Sequence, residues 1–292
     1  MNRYQGPGTR CQAGIKPIVS SYCLHHGEEP MISGTRGSGT IFFANCCLKC
    51  VYCQNYEISQ QGTRDQGPGT RGEEVEAERL AEIMLELQAK GAHNINLVSP
   101  THYALQIADA LKLAREQGLK LPVVYNTGGY DSLELLSELE GLIDVYLPDF
   151  KYFSEGSAQK YSGAGNYPKI ARAGIAEMFR QVGNIKLNDE GVARSGLLVR
   201  HLVLPDNLAG TDAVLKWLAA LSPEIRISLM AQYSPQHRAA EFPELARRLR
   251  PEEYRQAVAE AEKLGLRNVY VQELASSETF LPDFNQADPF AG

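Results

Sequence analysis

From Glu73 onward the sequence alternates two hydrophobic periods, and this alternation limits the fold more than any other feature. Between Glu74 and Lys90, Leu80, Ile83, Met84 and Leu87 recur at helical spacing, and Gly91 supplies a stop before the apolar run Ile95 to Val98. That pattern predicts a helix feeding a strand. The unit then repeats: a helix over Tyr103 to Gln117 precedes Leu121 to Tyr125, and Asp131 with Glu134 reads as a capping box opening a helix to about Glu140, before Leu142 to Leu147. A helix starting near Pro168 precedes a strand over Gly196 to Leu204. Thr211 reads as the cap of a helix with Val214, Trp217, Leu218 and Leu221 on one face, followed by Ile225 to Met230. A last helix, Pro251 to Leu264, precedes Asn268 to Gln272. With Gly39 to Ala44 placed first, about seven strands alternate with helices, the pattern of parallel βαβ units. Right-handed crossovers leave an open or closed α/β barrel or a doubly wound sheet.

The 292 residues, 43% hydrophobic, suffice for a full buried core. A formal net charge of -6 gives no basic field for phosphates, so a nucleic-acid partner is not expected. No stretch has the length and apolarity of a bilayer span, and Met1 to Tyr22 has no export-type apolar core, so the chain reads as soluble and cytoplasmic. The N-terminal third is rich in glycine and turn residues, and Gln5-Gly-Pro-Gly-Thr-Arg10 recurs as Gln66 to Arg71 without a repeat period behind it. The stretch from Ser276 to Gly292 lacks periodicity and reads as a surface strap or disordered tail. The polar stretch Asn184 to Arg194 is a candidate for shaping the entrance to a site.

Four of the six cysteines crowd into Cys46, Cys47, Cys50 and Cys53, which points to metal binding rather than disulfides. The spacing Cys46-x3-Cys50-x2-Cys53 follows a strand-like run and puts three thiolates on one short loop, enough for three irons of a 4Fe–4S cluster with the fourth iron open. Zinc is the structural rival, since Cys50 and Cys53 form an ordinary half-site that Cys47, Cys11, Cys23 or a histidine could complete. A redox dithiol needs only two of these cysteines. His25 and His26 are adjacent, point to opposite faces of an extended chain, and are read as surface or loop packing, with His26 near the site mouth and neither given a role.

The run from Gly39 to Asn55 resembles the cluster loop of radical S-adenosylmethionine (SAM) enzymes. Three further segments, His26-Gly-Glu-Glu-Pro30, Ser33 to Gly39 and Cys53 to Ser59, narrow the resemblance to the subgroup similar to the pyruvate formate-lyase activating enzyme. It implies an α/β fold, a partial (β/α)6 TIM-like barrel over residues 38–275, with a loop-rich extension at 1–37 and a tail at 276–292. It also implies that Cys46, Cys50 and Cys53 ligate the cluster while SAM chelates the unique iron. Cys47 has no role in that family and reads as a small apolar packing residue. Tyr52, before the last cysteine, belongs to the same cofactor-binding loop. Ser99, Thr101 and His102 fall where the family borders the methionine amino group, with His102 in place of an acidic residue. Asn126 and Thr127 fall in its ribose and cation neighbourhood. Asp149 and Lys151 resemble its Asp-Leu-Lys, whose lysine faces the methionine carboxylate, and Arg200 matches a cofactor-contacting arginine. Each is an ordinary strand-end polar residue taken singly; together they occupy consecutive strand ends, where ligands sit in parallel α/β folds.

The activity implied by the resemblance is reductive cleavage of SAM by one electron from a low-potential donor such as flavodoxin or ferredoxin, followed by hydrogen abstraction by a 5′-deoxyadenosyl radical. Oxygen sensitivity follows from an open iron. Two substrate classes are expected, a glycine of a glycyl radical enzyme or a small molecule or peptide; a non-catalytic zinc scaffold is the outside alternative.

Overall fold

A computed structural model describes residues 13–60, 72–273, 282–284, 286 and 289–290. Cys11 and both copies of the repeated hexapeptide lie outside the described residues. The strands are β1 (Ile18–His25), β2 (Ser38–Phe43), β3 (Glu73–Glu74), β4 (Ile95–Val98), β5 (Val123–Thr127), β6 (Val145–Pro148), β7 (Lys186–Leu187), β8 (Ala193–Leu202), β9 (Arg226–Met230) and β10 (Val269–Val271). The helices are α1 (Pro30–Ser33), α2 (Tyr56–Ser59), α3 (Ala77–Ala89), α4 (Ala104–Glu116), α5 (Leu133–Glu138), α6 (Glu155–Ser162), α7 (Tyr167–Val182), α8 (Thr211–Leu221) and α9 (Pro251–Lys263).

The sheet runs β10-β9-β8-β6-β5-β4-β2-β1-β3, with every neighbour from β2 to β10 parallel. This is an open barrel of six β/α units ending in β10, one of the arrangements that the alternating pattern allows and the one that the resemblance implies. The parallel strands are covered on both faces, which is why Ile95-Asn-Leu-Val98 is buried throughout. In α3 the buried face is Leu80, Ala81, Ile83, Met84 and Leu87, as the spacing requires, each large side chain contributing roughly 1.5–3 kcal/mol by burial. No helix among the described residues is long and apolar enough to cross a membrane.

Several local expectations change. The extension is not all loop: β1 adds antiparallel to β2, pairing Cys23 with Thr40 and His25 with Ser38. Its Ile18, Val19, Cys23 and His25 are buried, a signal hidden by the surrounding glycines. Ser132, not Asp131, caps α5 by accepting the Leu135 N–H at 3.3 Å, because the Asp131 carboxylate is buried and bonded to Tyr125 and Thr127. Thr211 begins α8 instead of capping it, since its hydroxyl lies 2.9 Å from His201 Nε2. The stretch Asn184 to Arg194 joins α7 to the start of β8, at the opposite strand ends from the cavity described below, and none of its residues lines that cavity. Of the C-terminal tail, the half-buried Phe284 and Phe290 pack on Phe42, and Phe290 lies with its ring 3.9 Å from that of His25, while Asp283 and Gln286 are exposed.

Candidate active site

A cavity of about 310 Å³ opens at the carboxyl ends of the parallel strands. It is lined by all twelve residues expected from the sequence: Cys46, Cys50, Cys53 and Tyr52 from the loop after β2, Ser99, Thr101 and His102 after β4, Asn126 and Thr127 ending β5, Asp149 and Lys151 after β6, and Arg200 on β8. His25, read as loop packing, lines it as well, whereas His26, expected near its mouth, is exposed and does not line it.

The cysteine loop is fixed by backbone bonds rather than by regular structure. Asn45, at φ 72°, turns the chain out of β2, and its N–H bonds to the Ile58 carbonyl at 2.8 Å. Lys49 N–H reaches Ser162 O at 3.1 Å, Val51 N–H reaches Tyr161 O at 2.9 Å, and Arg238 N–H reaches Val51 O at 2.8 Å. Each of the three sulfurs then has a hydrogen-bond partner: Leu48 N–H donates to Cys46 Sγ at 3.4 Å, the Ser162 hydroxyl donates to Cys50 Sγ at 3.0 Å, and Ser59 Oγ lies 3.2 Å from Cys53 Sγ, where either can donate. Burial pushes the Cys46 thiol up to about 11 and the Cys53 thiol up to about 12, so as free side chains both are protonated, and metal ligation must release those protons. Among the described residues, no three His, Cys, Asp or Glu side chains are grouped to hold one ion. A single zinc needs four donors around one point, whereas a cluster takes its thiolates on separate irons, so the loop fits the cluster better. Cys47 also lines the cavity, packed on the core, and Cys23 is buried with Phe42, Ile58 and Val98.

After β4 the backbone enters the left-handed region at Ser99, φ 58°, an uncommon conformation for this residue and one concentrated at ligand sites. His102 Nε2 lies 2.8 Å from the Ala44 carbonyl, which can only accept, so Nε2 carries the hydrogen. Burial lowers the ring to about 4; it is neutral at pH 7, with Nδ1 an acceptor. Thr101 Oγ1 stands 3.0 Å from Thr127 Oγ1, which donates to the buried Asp131 at 2.6 Å. Burial raises the Asp131 carboxyl, and the hydroxyls around it partly restrain that rise. Gly129, at φ 75°, lets the β5 and β6 ends meet, because a Cβ there would stand 2.1 Å from the Asp149 carbonyl oxygen.

Opposite the cysteines lies a charged wall. Lys151 Nζ is 2.5 Å from Asp149 Oδ2; burial alone would lower the lysine, but Asp149 outweighs it and holds the ammonium well above its usual range. Tyr167 accepts the Lys151 N–H at 2.9 Å and donates to the Asp149 carbonyl at 2.8 Å. Arg200 grips Glu29 with two parallel bonds, Nε to Oε1 at 2.8 Å and NH2 to Oε2 at 2.6 Å, and also meets Glu28. Burial by itself would raise the Glu29 carboxyl, and Arg200 overrides it to hold the group below the usual range. Asn96 Nδ2 donates to Glu28 at 2.8 Å, and Asn126 lies 3.4 Å from both Glu28 and Arg200. The guanidinium expected to meet a cofactor is thus engaged by protein carboxylates. Glu28, Glu29, Asp131 and Ser162 are site residues that sequence reasoning did not single out; the only signal for the glutamates was their place in His26-Gly-Glu-Glu-Pro30.

The sequence and the fold have counterparts among known proteins. The chain is 31% identical over 266 residues to the uncharacterized protein MJ0674 of Methanocaldococcus jannaschii, covering 89% of this chain and 72% of that one. It is 24% identical over 220 residues to the pyruvate formate-lyase-activating enzyme of Clostridium pasteurianum, covering 73% and 81% respectively. Its fold is similar to HydG, a maturase of the FeFe-hydrogenase, with a TM-score of 0.51 and 13% identity over 77% of this chain and 48% of that one. Streptococcus suis SuiB, solved bound to the precursor peptide SuiA, gives a TM-score of 0.53 and 12% identity over 82% and 49%. This chain therefore spans about half the length of those two solved proteins, and at such identities the likeness is one of fold. The Radical SAM superfamily model matches residues 40–190, just over half of the chain and the very segment that carries the cysteine loop and the first strand ends of the cavity, and the chain belongs to the radical SAM superfamily.

Proposed function

We propose that this chain reductively cleaves SAM at a 4Fe–4S cluster held by Cys46, Cys50 and Cys53 and abstracts hydrogen from a substrate. The observation that carries the reading is the gathering of the cysteine loop and four strand ends on one cavity. When bound, the cluster and SAM supply a 5′-deoxyadenosyl radical for hydrogen abstraction. The chain's own residues do the rest. Thr101 and the neutral His102 offer acceptors to the ammonium of a bound zwitterion, in place of the acidic residue of similar proteins. Lys151, with donors left beyond its bond to Asp149, is the cation for the carboxylate. Arg200 orients this wall through Glu28 and Glu29. His25, Phe42 and Phe290 exclude water from the side of the cavity next to β1.

The likeness to a pyruvate formate-lyase-activating enzyme supports a glycine of a glycyl radical enzyme as the substrate, with flavodoxin or ferredoxin as the electron donor. A small molecule or peptide is the second reading, supported by the likeness of fold to SuiB, which was solved bound to the precursor peptide SuiA. Mixing the reduced, SAM-loaded protein with a candidate glycyl radical protein separates the two: a glycyl electron-spin signal supports the first, and its absence alongside turnover of an added metabolite or peptide supports the second.

A further inference from the structure

Behind the cysteine loop runs a chain of buried hydroxyls that the reading above does not use. Tyr52 Oη donates to Tyr152 Oη at 2.6 Å, Tyr152 Oη lies 2.8 Å from Ser162 Oγ, and Ser162 Oγ donates to Cys50 Sγ at 3.0 Å. All three are buried, Tyr152 completely, and Ser162 is held in place as the last residue of α6, with Gly163 in the left-handed conformation after it. Burial keeps the Tyr52 and Tyr152 phenols well above their usual range, so both remain proton donors.

The direction of this chain depends on Cys50. A thiol can donate as well as accept, and the hydrogens could then run either way. A ligating thiolate only accepts. Ser162 must then spend its one hydrogen on the sulfur, Tyr152 must donate to Ser162, and Tyr52 to Tyr152, leaving one arrangement in which every donor points toward the metal ligand. Hydrogen bonds aligned in this way polarise one another, and the apolar surroundings strengthen each of them. A donor on a ligand sulfur stabilises the more negative, reduced state of an iron–sulfur centre more than the oxidised state, and such bonds are among the determinants of its potential.

We propose that Ser162, backed by Tyr152 and Tyr52, is a positioning residue that sets the reduction potential of the cluster through Cys50. The inference rests on the ligand assignment of the preceding subsection. It makes electron acceptance a property of α6, which lies 112 residues beyond Cys50 in the sequence.

The test is an anaerobic redox titration, followed by the electron-spin signal of the one-electron-reduced cluster, with iron counted on every sample. Ser162→Ala is expected to keep its iron and shift the midpoint to more negative potential. The expected size is about a tenfold fall in the ratio of reduced to oxidised cluster at a fixed donor potential, about 59 mV for a one-electron couple. Ser162→Thr restores the hydroxyl and should restore the midpoint. Tyr152→Phe leaves Ser162 in place and removes only its partner, so a smaller shift of the same sign is expected, and this variant serves if Ser162→Ala fails to fold. A full iron content with an unchanged midpoint in Ser162→Ala, or in Tyr152→Phe where it stands in, would overturn the proposal. A wild-type protein that assembles no cluster would instead overturn the ligand assignment beneath it.

Discussion

The two walls of the cavity are built from opposite materials. On one side three cysteines sit on one loop, and each sulfur meets a neutral hydrogen-bond partner. On the other, Asp149, Lys151, Glu28, Glu29 and Arg200 bind one another in buried ion pairs. The first wall is incomplete as a set of free thiols, of which burial keeps Cys46 and Cys53 protonated. The second is largely complete without a ligand, because its charges already have partners. The difference separates chemistry from scaffolding: the thiol side needs a metal to make sense, whereas the charged side holds strand ends and the β1 to α1 segment in register.

Removing one member from each wall breaks the comparison most sharply. Cys50→Ala should abolish both cluster assembly and SAM cleavage while leaving the unfolding midpoint of the metal-free protein nearly unchanged, as seen by iron analysis, product chromatography and thermal denaturation. Arg200→Met should do the reverse in stability. With the side chains of Glu28 and Glu29 only 9% and 3% exposed, the unpaired carboxylates should cost about 3–5 kcal/mol in denaturant unfolding.

Acid adds a further test, since the thiol wall includes a buried neutral histidine and a second lies behind the charged wall, outside the cavity. His102, beside the cysteine loop, and His201, next to Arg200, are both lowered to about 4 by burial. The unfolded chain binds these protons first, so stability is fully present above about pH 6.5 and is lost as pH falls toward about 4, by about 3 kcal/mol for each histidine. Denaturant titrations at pH 7 and pH 4.5 should show this loss, and His201→Gln should reduce it. The smallest effect is expected for Glu28→Gln: Arg200 keeps its paired bonds to Glu29, so the change should stay within about 1 kcal/mol. A loss as large as that of Arg200→Met would make Glu28 the principal partner instead.

The thiol wall was legible in the sequence because its parts are local: Cys46, Cys50 and Cys53 lie within eight residues, directly after a strand pattern. The strand-end residues were legible through the resemblance, which matches Ser99, Asn126, Asp149 and Arg200 to cofactor-site positions on strands that the alternation predicts. The pairing of Arg200 with Glu29 was not, because 171 residues separate them and no periodicity links a loop acid to a strand arginine. Ser162 was hidden for the same reason. Asp131 was misread as a cap because the local pattern Asp131 to Glu134 is a valid capping box; only the tertiary contact with Tyr125 and Thr127 reassigns it. Likewise β1 was lost among glycines, since an antiparallel partner for β2 is specified by pairing rather than by composition.

The central claim is that the thiol wall holds a cluster able to cleave SAM. Its most direct test is to reconstitute the protein with iron and sulfide under anaerobic conditions, add SAM and a low-potential reductant, and measure 5′-deoxyadenosine against bound metal. The account predicts about four irons per chain and 5′-deoxyadenosine formed only when reductant is present. Tight stoichiometric zinc with no 5′-deoxyadenosine would contradict it.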